Sequence, residues 1–234
     1  VHYASKTLGI DASDAVRMYR NDPKTDFHTM AAEIAQVDRK SAKGVNFGVV
    51  YGMGIPSLAG NLGITIPEAQ AIMQKFQDNA PFMKGMLDRC SNAASERGFI
   101  RTILGRKRRF ETWEVRVAGE EPAYIDTSEL DEFCAGKNVK STRRAFTHSA
   151  LNSLLQGSAA DLMKLAMVKA WESGVYNVMV PHLTVHDELN QSLPDTKEGH
   201  EAFEELRNIM ENTLELDIPV LADGTTGMNW DEAK

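Results

Sequence analysis

The sequence lacks three features that would each narrow its function. A transmembrane helix needs about 20 consecutive apolar residues, and no stretch of the chain approaches that length, so we expect no membrane partner. The only cysteines, Cys90 and Cys134, have no metal-ligand spacing, and we expect a reducing, cytoplasmic location. An excess of positive charge is also missing, because the formal net charge is −7.

The charge is segregated along the chain. Residues 97–109 carry cations and no acid: Arg97, Arg101, Arg106, Lys107, Arg108 and Arg109. A second basic cluster follows at Lys137, Lys140, Arg143 and Arg144. Residues 111–132 and 195–217 are acidic. Such segregation permits a local basic groove on a protein that is acidic overall.

A repeated spacing of four residues marks the first candidate site. Arg39, Lys43, Phe47 and Tyr51 lie four residues apart, which predicts one face of a helix. Two cations followed by two aromatic rings suit a triphosphate, a sugar and a base. From spacing alone, the alternative is a solvated basic turn followed by an aromatic pair in the core. Another helix is predicted over residues 26–36, with His28 near its start.

Residues 99–110 predict a basic hairpin, because β-favouring residues flank Gly105 and four cations follow it. Arg101, Arg106 and Arg108 are then available to DNA phosphates. The alternative is a charge run that only aids solubility. Residues 111–140 show no clear period and are predicted to be a long polar loop or an insertion.

The C-terminal part contains two further candidates. A long helix is predicted over residues 141–171, with His148, Asn152 and Gln156 four apart on one face. Such a row is able to reach the minor groove of a base pair, unless it is only a polar surface stripe. Residues 178–193 predict a buried apolar hairpin, and its tip carries His186, Asp187 and Glu188. An Asp in that position is most often a turn former.

These segments resemble the DNA polymerase I family, the family A DNA polymerases, in the family's own order. Arg39-x-x-x-Lys43-x-x-x-Phe47-x-x-x-Tyr51-Gly52 resembles motif B, the fingers helix that closes on the nucleotide. Thr-x-x-Gly-Arg-x-Arg at 102–108 resembles the DNA-contacting segment. Ala-Leu-Asn-x-Leu-Leu-Gln-Gly-Ser-Ala-Ala-Asp at 150–161 resembles the palm helix, and Leu-Thr-Val-His-Asp-Glu-Leu at 183–189 resembles motif C.

The resemblance implies an α+β fold with helical fingers and a palm that holds a small antiparallel sheet. Residues 1–38 would connect palm to fingers, 39–135 would form the fingers, and 136–234 the palm. The implied activity is template-directed DNA synthesis, in replication or repair, on primer–template DNA and deoxynucleoside triphosphates. The histidine at position 148 looks more like the phage members of the family than the bacterial ones. A phage protein of this kind would act in the cytoplasm of its bacterial host.

The resemblance also implies a role for each residue. Asp187 would bind one of two catalytic Mg²⁺ ions, with Glu188 beside it. Arg39 and Lys43 would hold the triphosphate, Lys43 would also protonate the leaving pyrophosphate, Phe47 would contact the sugar, and Tyr51 would lie near the base. The DNA-binding residues would be Arg101, Arg106, Arg108, His148, Asn152, Gln156 and His186.

The family's motif A carboxylate has no counterpart in the sequence. Residues 1–4 resemble the end of the helix that follows motif A, so that Asp is expected upstream. The isolated chain is therefore expected to be inactive, as a fragment or as one half of a split polymerase that needs the upstream portion. The alternatives are part of a single-subunit RNA polymerase and a non-catalytic DNA-binding or assembly subunit.

Overall fold

A computed structural model describes residues 1–26, Thr29, Ala32, 39–79 and 81–233. The fold is α+β, as the sequence predicts. Backbone contacts divide the chain into two compact units. The large unit contains Tyr3–Ala12 and Thr25–Gln156, and the small unit contains Val1–His2, Ser13–Lys24 and Gly157–Lys234. The helix predicted over 26–36, with His28, lies almost wholly outside the described residues.

The first part of the chain is helical. After a π-helical turn at Tyr3–Thr7, the α-helices are α1 Ser13–Asn21, α2 Arg39–Val50, α3 Ile55–Leu62, α4 Ile66–Asn79 and α5 Pro81–Arg97. Pro67 lies in the first turn of α4, where a missing N–H costs nothing. Gly98 ends α5 with φ of 73°, a conformation that glycine adopts without strain. The sequence predicts both ends, because Ile66-Pro67-Glu68 is typical of a helix start and Gly98 of a C-terminal cap, and the structure confirms them.

Five strands follow in the large unit: β1 Phe99–Arg101, β2 Lys107–Arg109, β3 Thr112–Val117, β4 Ala123–Asp126 and β5 Val139–Arg144. The predicted basic hairpin is confirmed by the antiparallel pairing of β1 with β2. The polar loop predicted for 111–140 is wrong, because β3 is the centre of an antiparallel sheet in the order β4–β3–β5. Val115 and Val117 are buried while Arg116 is exposed, which is the alternation of a half-buried strand.

A short helix, α6 Leu130–Cys134, connects β4 to β5, and the long helix α7 covers Ala150–Ser173. The prediction that this helix begins at residue 141 is wrong, because residues 141–144 belong to β5 and pair with β3. Phe146 then adopts φ of 60°, which is incompatible with a continuing right-handed helix. His148 consequently lies in a 3₁₀ turn, Thr147–Ser149, before α7.

In the small unit, strands β6 Val180–Val185 and β7 Glu188–Ser192 form the predicted hairpin, and α8 covers Lys197–Glu211. The core consists of Ala170, Val175, Met179, Ala202 and Leu206. Leu189 and Leu193 pack against this core. The expected burial of the hairpin is wrong for β6, which is exposed at every position. The sequence also predicts a strand at residues 219–221, and this prediction is wrong, since those residues form no strand.

The large unit has its own apolar core. Its fully buried side chains include Phe76, Leu58, Met86, Leu151, Val45 and Val115. Cys90 is buried beside them, and burial raises the pKa of its thiol to about 11, so it behaves as a small apolar side chain. No helix within the described ranges combines the length and apolarity needed to cross a membrane.

Candidate nucleotide and nucleic-acid site

Helix α2 exposes Arg39 and Lys43, the first two of the four residues spaced four apart, to solvent. Ala42 and Val45 are fully buried and fix the inner face of the helix. Arg39 and Lys43 are exposed, as expected for groups that bind a soluble anion. Phe47 lies on the same helix, but its side chain is outside the described part of the chain. Tyr51 follows the last helical residue and is 40% exposed.

Arg39 is oriented by an acidic partner that the sequence reasoning missed. Its Nη2 and Nε lie 2.6 and 2.7 Å from Oδ2 of Asp26. The hydroxyl of Thr29 donates to the same oxygen at 2.9 Å. Exposed pairs of this kind contribute little to stability, so the pair matters mainly because it fixes the direction of the guanidinium. The Asp-x-His-Thr motif that begins at Asp26 was the sequence signal for this partner of Arg39.

The residue after Tyr51 makes a close backbone contact. Gly52 has φ of 67°, and a Cβ placed on it would lie 2.9 Å from the carbonyl oxygen of His148. Only glycine combines this conformation with so small a space. The contact holds the 3₁₀ turn that carries His148 against the end of α2.

A direct hydrogen bond joins two of the predicted site residues. Nε2 of Gln156 donates to the phenol oxygen of Tyr51 at 3.0 Å. Asn152 lies one turn earlier on α7 and is half-buried. The structure therefore brings Tyr51, His148 and Gln156 together within the large unit, although 105 residues separate Tyr51 from Gln156.

The hairpin of β1 and β2 concentrates positive charge. Arg101 lies directly opposite Lys107, and Arg101 donates to the carbonyl of Gly105 at 3.0 Å. Lys107 Nζ also lies 4.7 Å from the centre of the Phe99 ring. Like charges directly opposite each other destabilise a sheet, so a bound anion between them would offset an existing repulsion. Arg106 and Arg108 are exposed on the same hairpin.

The acidic residues of the small unit lie at a tight turn. Val185 pairs with Glu188, so His186 and Asp187 alone form the tip of the β6–β7 hairpin. His186 has φ of 54°, a conformation that is uncommon for a side-chain-bearing residue and is often retained at functional sites. Asp187 and Glu188 are both exposed.

The donor chemistry of this tip suits a hard cation. Mg²⁺ prefers carboxylate and water oxygens, which Asp187 and Glu188 offer in adjacent positions. Among the residues that the structure describes, no three His, Cys, Asp or Glu side chains are grouped closely enough to hold a metal ion. The chemistry of this pair therefore fits part of a magnesium site.

Two contacts in the β4–β3–β5 sheet were not anticipated from the sequence. Glu114 forms ion pairs with Arg116 and Arg143 at 2.8 and 2.6 Å. The rings of Tyr124 and Phe146 stack with centroids 5.4 Å apart. The alternation in Thr-Trp-Glu-Val-Arg-Val at 112–117 was the signal for this sheet.

Residues 15–232 match the family model described as DNA polymerase family A. This match covers most of the chain. The chain belongs to this family.

The chain is similar to several polymerases over part of their length. It is 30% identical to a DNA-directed DNA polymerase of Pseudomonas phage M6, covering 98% of this chain and 36% of the phage protein. It is 33% identical to the thermostable DNA polymerase I of Thermus filiformis, covering 89% of this chain and 23% of that protein. The POL domain of Pol1 from M. smegmatis, in complex with DNA primer-template and dNTP, matches 99% of this chain and 37% of its own. That pair has a TM-score of 0.75 at 26% identity.

Proposed function

We propose that this chain is the nucleotide- and DNA-binding portion of a template-directed DNA polymerase that extends a primer 3′ end in replication or repair. The observation that carries the proposal is the 3.0 Å hydrogen bond from Gln156 to Tyr51. It joins the end of the predicted nucleotide helix to the residue row predicted to read base pairs. The named partners of the M. smegmatis structure, primer-template and dNTP, support the same substrates.

The exposed face of α2 binds the incoming triphosphate. Phosphoryl transfer depends on positioning and charge neutralisation more than on covalent chemistry. Arg39 is already oriented by Asp26 and would exchange that carboxylate for a phosphate. Lys43 supplies a second positive charge and a proton for the leaving pyrophosphate. Phe47, one turn further along the helix in sequence, would contact the sugar.

The DNA-binding groups are divided between the two units. Arg101, Arg106 and Arg108 bind backbone phosphates, and His148, Asn152 and Gln156 contact the minor groove of the primer–template. His186 holds the primer-terminal phosphate. We propose the fingers for residues 39–135, the palm for 136–234, and a connection for 1–38.

Two Mg²⁺ ions, when bound, would activate the primer hydroxyl and neutralise charge on the phosphates. Asp187 would supply one of the carboxylate ligands directly, and Glu188 would act beside it or through water. A two-ion site needs a further carboxylate. We propose that the upstream portion of the polymerase supplies it, in the same or a separate chain.

Titration of the chain with a fluorescent deoxynucleoside triphosphate tests the nucleotide site. Loss of a charge-assisted contact is worth about 1.5–3 kcal/mol, so Arg39→Ala and Lys43→Ala should each weaken binding about 10- to 150-fold. Lys84→Ala, which removes an exposed lysine from α5, is the matched control and should bind normally. Unchanged binding by both site variants would contradict the proposal, and a preference for ribonucleotides would favour an RNA polymerase.

A further inference from the structure

Two aromatic rings of the β4–β3–β5 sheet are stacked in solvent. Tyr124 is 57% exposed and Phe146 is 52% exposed. Their rings are nearly parallel, with an interplanar angle of 16° and centroids 5.4 Å apart. An exposed pair of this size contributes little to a core, and its open faces are available to another flat, apolar group.

The sheet fixes the direction of this pair. Tyr124 lies opposite Glu114, so both belong to the face turned away from the buried Val115 and Val117. Phe146 follows β5 with φ of 60°, and its carbonyl accepts hydrogen bonds from the N–H and hydroxyl of Ser149 at 3.0 and 2.7 Å. The left-handed conformation is thus held by hydrogen bonds, and it turns the ring onto Tyr124.

Two guanidinium groups lie on the same face as Tyr124. Glu114 is 7% exposed, and it accepts two hydrogen bonds from Arg143, at 2.6 and 3.0 Å, and one from Arg116 at 2.8 Å. Hydrogen bonds from Arg143, and then from Arg116, lower the pKa of Glu114. The side chains of Arg143 and Arg116 stay 66% and 55% exposed, so one carboxylate orients two cations that still face solvent.

The neighbouring acids limit how strongly charge alone can act. Asp126 shares the outer face of β4, but its carboxylate accepts hydrogen bonds from the N–H and hydroxyl of Ser128. Glu120 and Glu121 are exposed in the turn between β3 and β4. The surface therefore combines open ring faces with a few fixed cations. A ligand on this surface would gain most of its binding free energy from stacking on the rings.

The aromatic contacts continue to the nucleotide helix within the large unit. The Phe146 and His148 rings meet edge to face, with centroids 6.5 Å apart. His148 in turn packs against Gly52, next to Tyr51. A DNA strand that leaves a base pair bound beside Tyr51 would reach His148 and then the Tyr124–Phe146 pair.

We propose that Tyr124 and Phe146 form a stacking platform for an unpaired base of the single-stranded template, with Arg116 and Arg143 on the adjoining phosphates. Every nucleobase has a π-face, so such a platform would be sequence-tolerant, and a duplex would not use it because its bases are already stacked. This inference rests on the proposed function, because the single strand is the unpaired part of a primer–template.

Fluorescence anisotropy of the purified chain on two DNA substrates tests the platform. One is a recessed primer–template with a 5′ template overhang, and the other is a blunt duplex of the same paired length. Tyr124→Leu keeps an apolar side chain and removes the ring face, so it should weaken overhang binding about 5- to 150-fold, the range for loss of one stacked base. Phe146→Asn tolerates the left-handed backbone and should show the same loss.

Blunt-duplex binding should not change in either variant, which also shows that each is folded. Tyr124→Phe keeps the ring and should bind the overhang as the parent chain does. Trp171→Leu removes a different aromatic ring, which is 74% exposed, and should not change overhang binding. Because stacking rather than charge is removed, the defect of Tyr124→Leu should persist in high salt with an unaltered salt dependence.

If Tyr124→Leu and Phe146→Asn bind the overhang as tightly as the parent chain, the platform is overturned and the proposed function is not. The exposed rings would then contact a protein partner or have no binding role. Failure of the parent chain to bind either DNA would overturn the platform together with the proposed function. A parallel loss on overhang and blunt duplex would also overturn it, because a stacking site for unpaired bases has no role on a blunt end.

Discussion

A single glycine controls the contact between the end of α2 and the turn that carries His148. Gly52 has φ of 67°, and its Cα approaches the backbone of His148 so closely that a Cβ would lie 2.9 Å from the carbonyl oxygen. Tyr51, the adjacent residue, makes its hydrogen bond to Gln156 from this position. The placement of the phenol therefore depends on a backbone feature rather than on the phenol itself.

Gly52→Ala tests this dependence. The left-handed conformation costs about 1–2 kcal/mol for a residue with a Cβ, and the short contact adds to that cost. We expect lower stability in urea unfolding and weaker nucleotide binding. Gly60→Ala is the matched control, since nothing lies within 4 Å of its added Cβ in α3 and the change favours a helix. Equal effects of both substitutions would show that the contact is unimportant.

Asp187 makes a separate prediction at the same scale. The side chain is exposed at a hairpin tip, so Asp187→Asn should not change the unfolding midpoint. In a polymerase completed by its upstream portion, the variant should keep DNA affinity and lose single-turnover rate by about 100-fold or more, because a metal ligand is removed. Asp223→Asn is the exposed control. Near-normal turnover by Asp187→Asn would refute its assignment as a ligand.

Among the structural elements, the β4–β3–β5 sheet depends on an ion pair that titrates. Hydrogen bonds from Arg143 and Arg116 lower the folded-state pKa of Glu114 below its ordinary value of 4.5. A lowered pKa stabilises the folded state above the unfolded-state pKa, and this contribution is lost as the pH falls through the folded-state pKa. The sheet should therefore lose part of its stability in acid.

Glu114→Gln removes this titration. We expect the variant to be less stable than the parent at pH 7 and to lose less stability as the pH falls from about 4.5. Urea unfolding at a series of pH values measures both effects. Glu121→Gln, in the exposed turn of the same sheet, should follow the parent at every pH. If Glu114→Gln also follows the parent, the ion pair does not support the sheet.

At the scale of the whole molecule, local patterns predicted some contacts and missed others. The hairpin at Gly105 and the helix that ends at Gly98 were predictable because turn residues interrupt clear periods. The sheet at 112–144 was missed because Glu114 and Arg143 look like solvated charges and form an ion pair only when β3 and β5 align. The Tyr51–Gln156 bond joins residues too distant in sequence for any local pattern.

Catalysis should require more than the 234 residues of this chain. Among the described residues, no three His, Cys, Asp or Glu side chains are grouped closely enough to hold a metal ion, and two-ion chemistry needs a shared carboxylate. Purified residues 1–234 should therefore show no primer extension with magnesium and all four deoxynucleotides. Addition of a polypeptide carrying the upstream portion should restore extension. Robust extension by the isolated chain would show that the second ligand lies within it.

The contrast between the two cysteines offers a practical route to these measurements. Burial makes the Cys90 thiol a poor nucleophile, with a pKa of about 11, whereas Cys134 is half-buried at the end of α6. A maleimide dye would therefore attach selectively at Cys134, which follows β4 and precedes β5. The sequence thus provides, without any engineered cysteine, an attachment point for a spectroscopic reporter on α6, a helix that contacts β4.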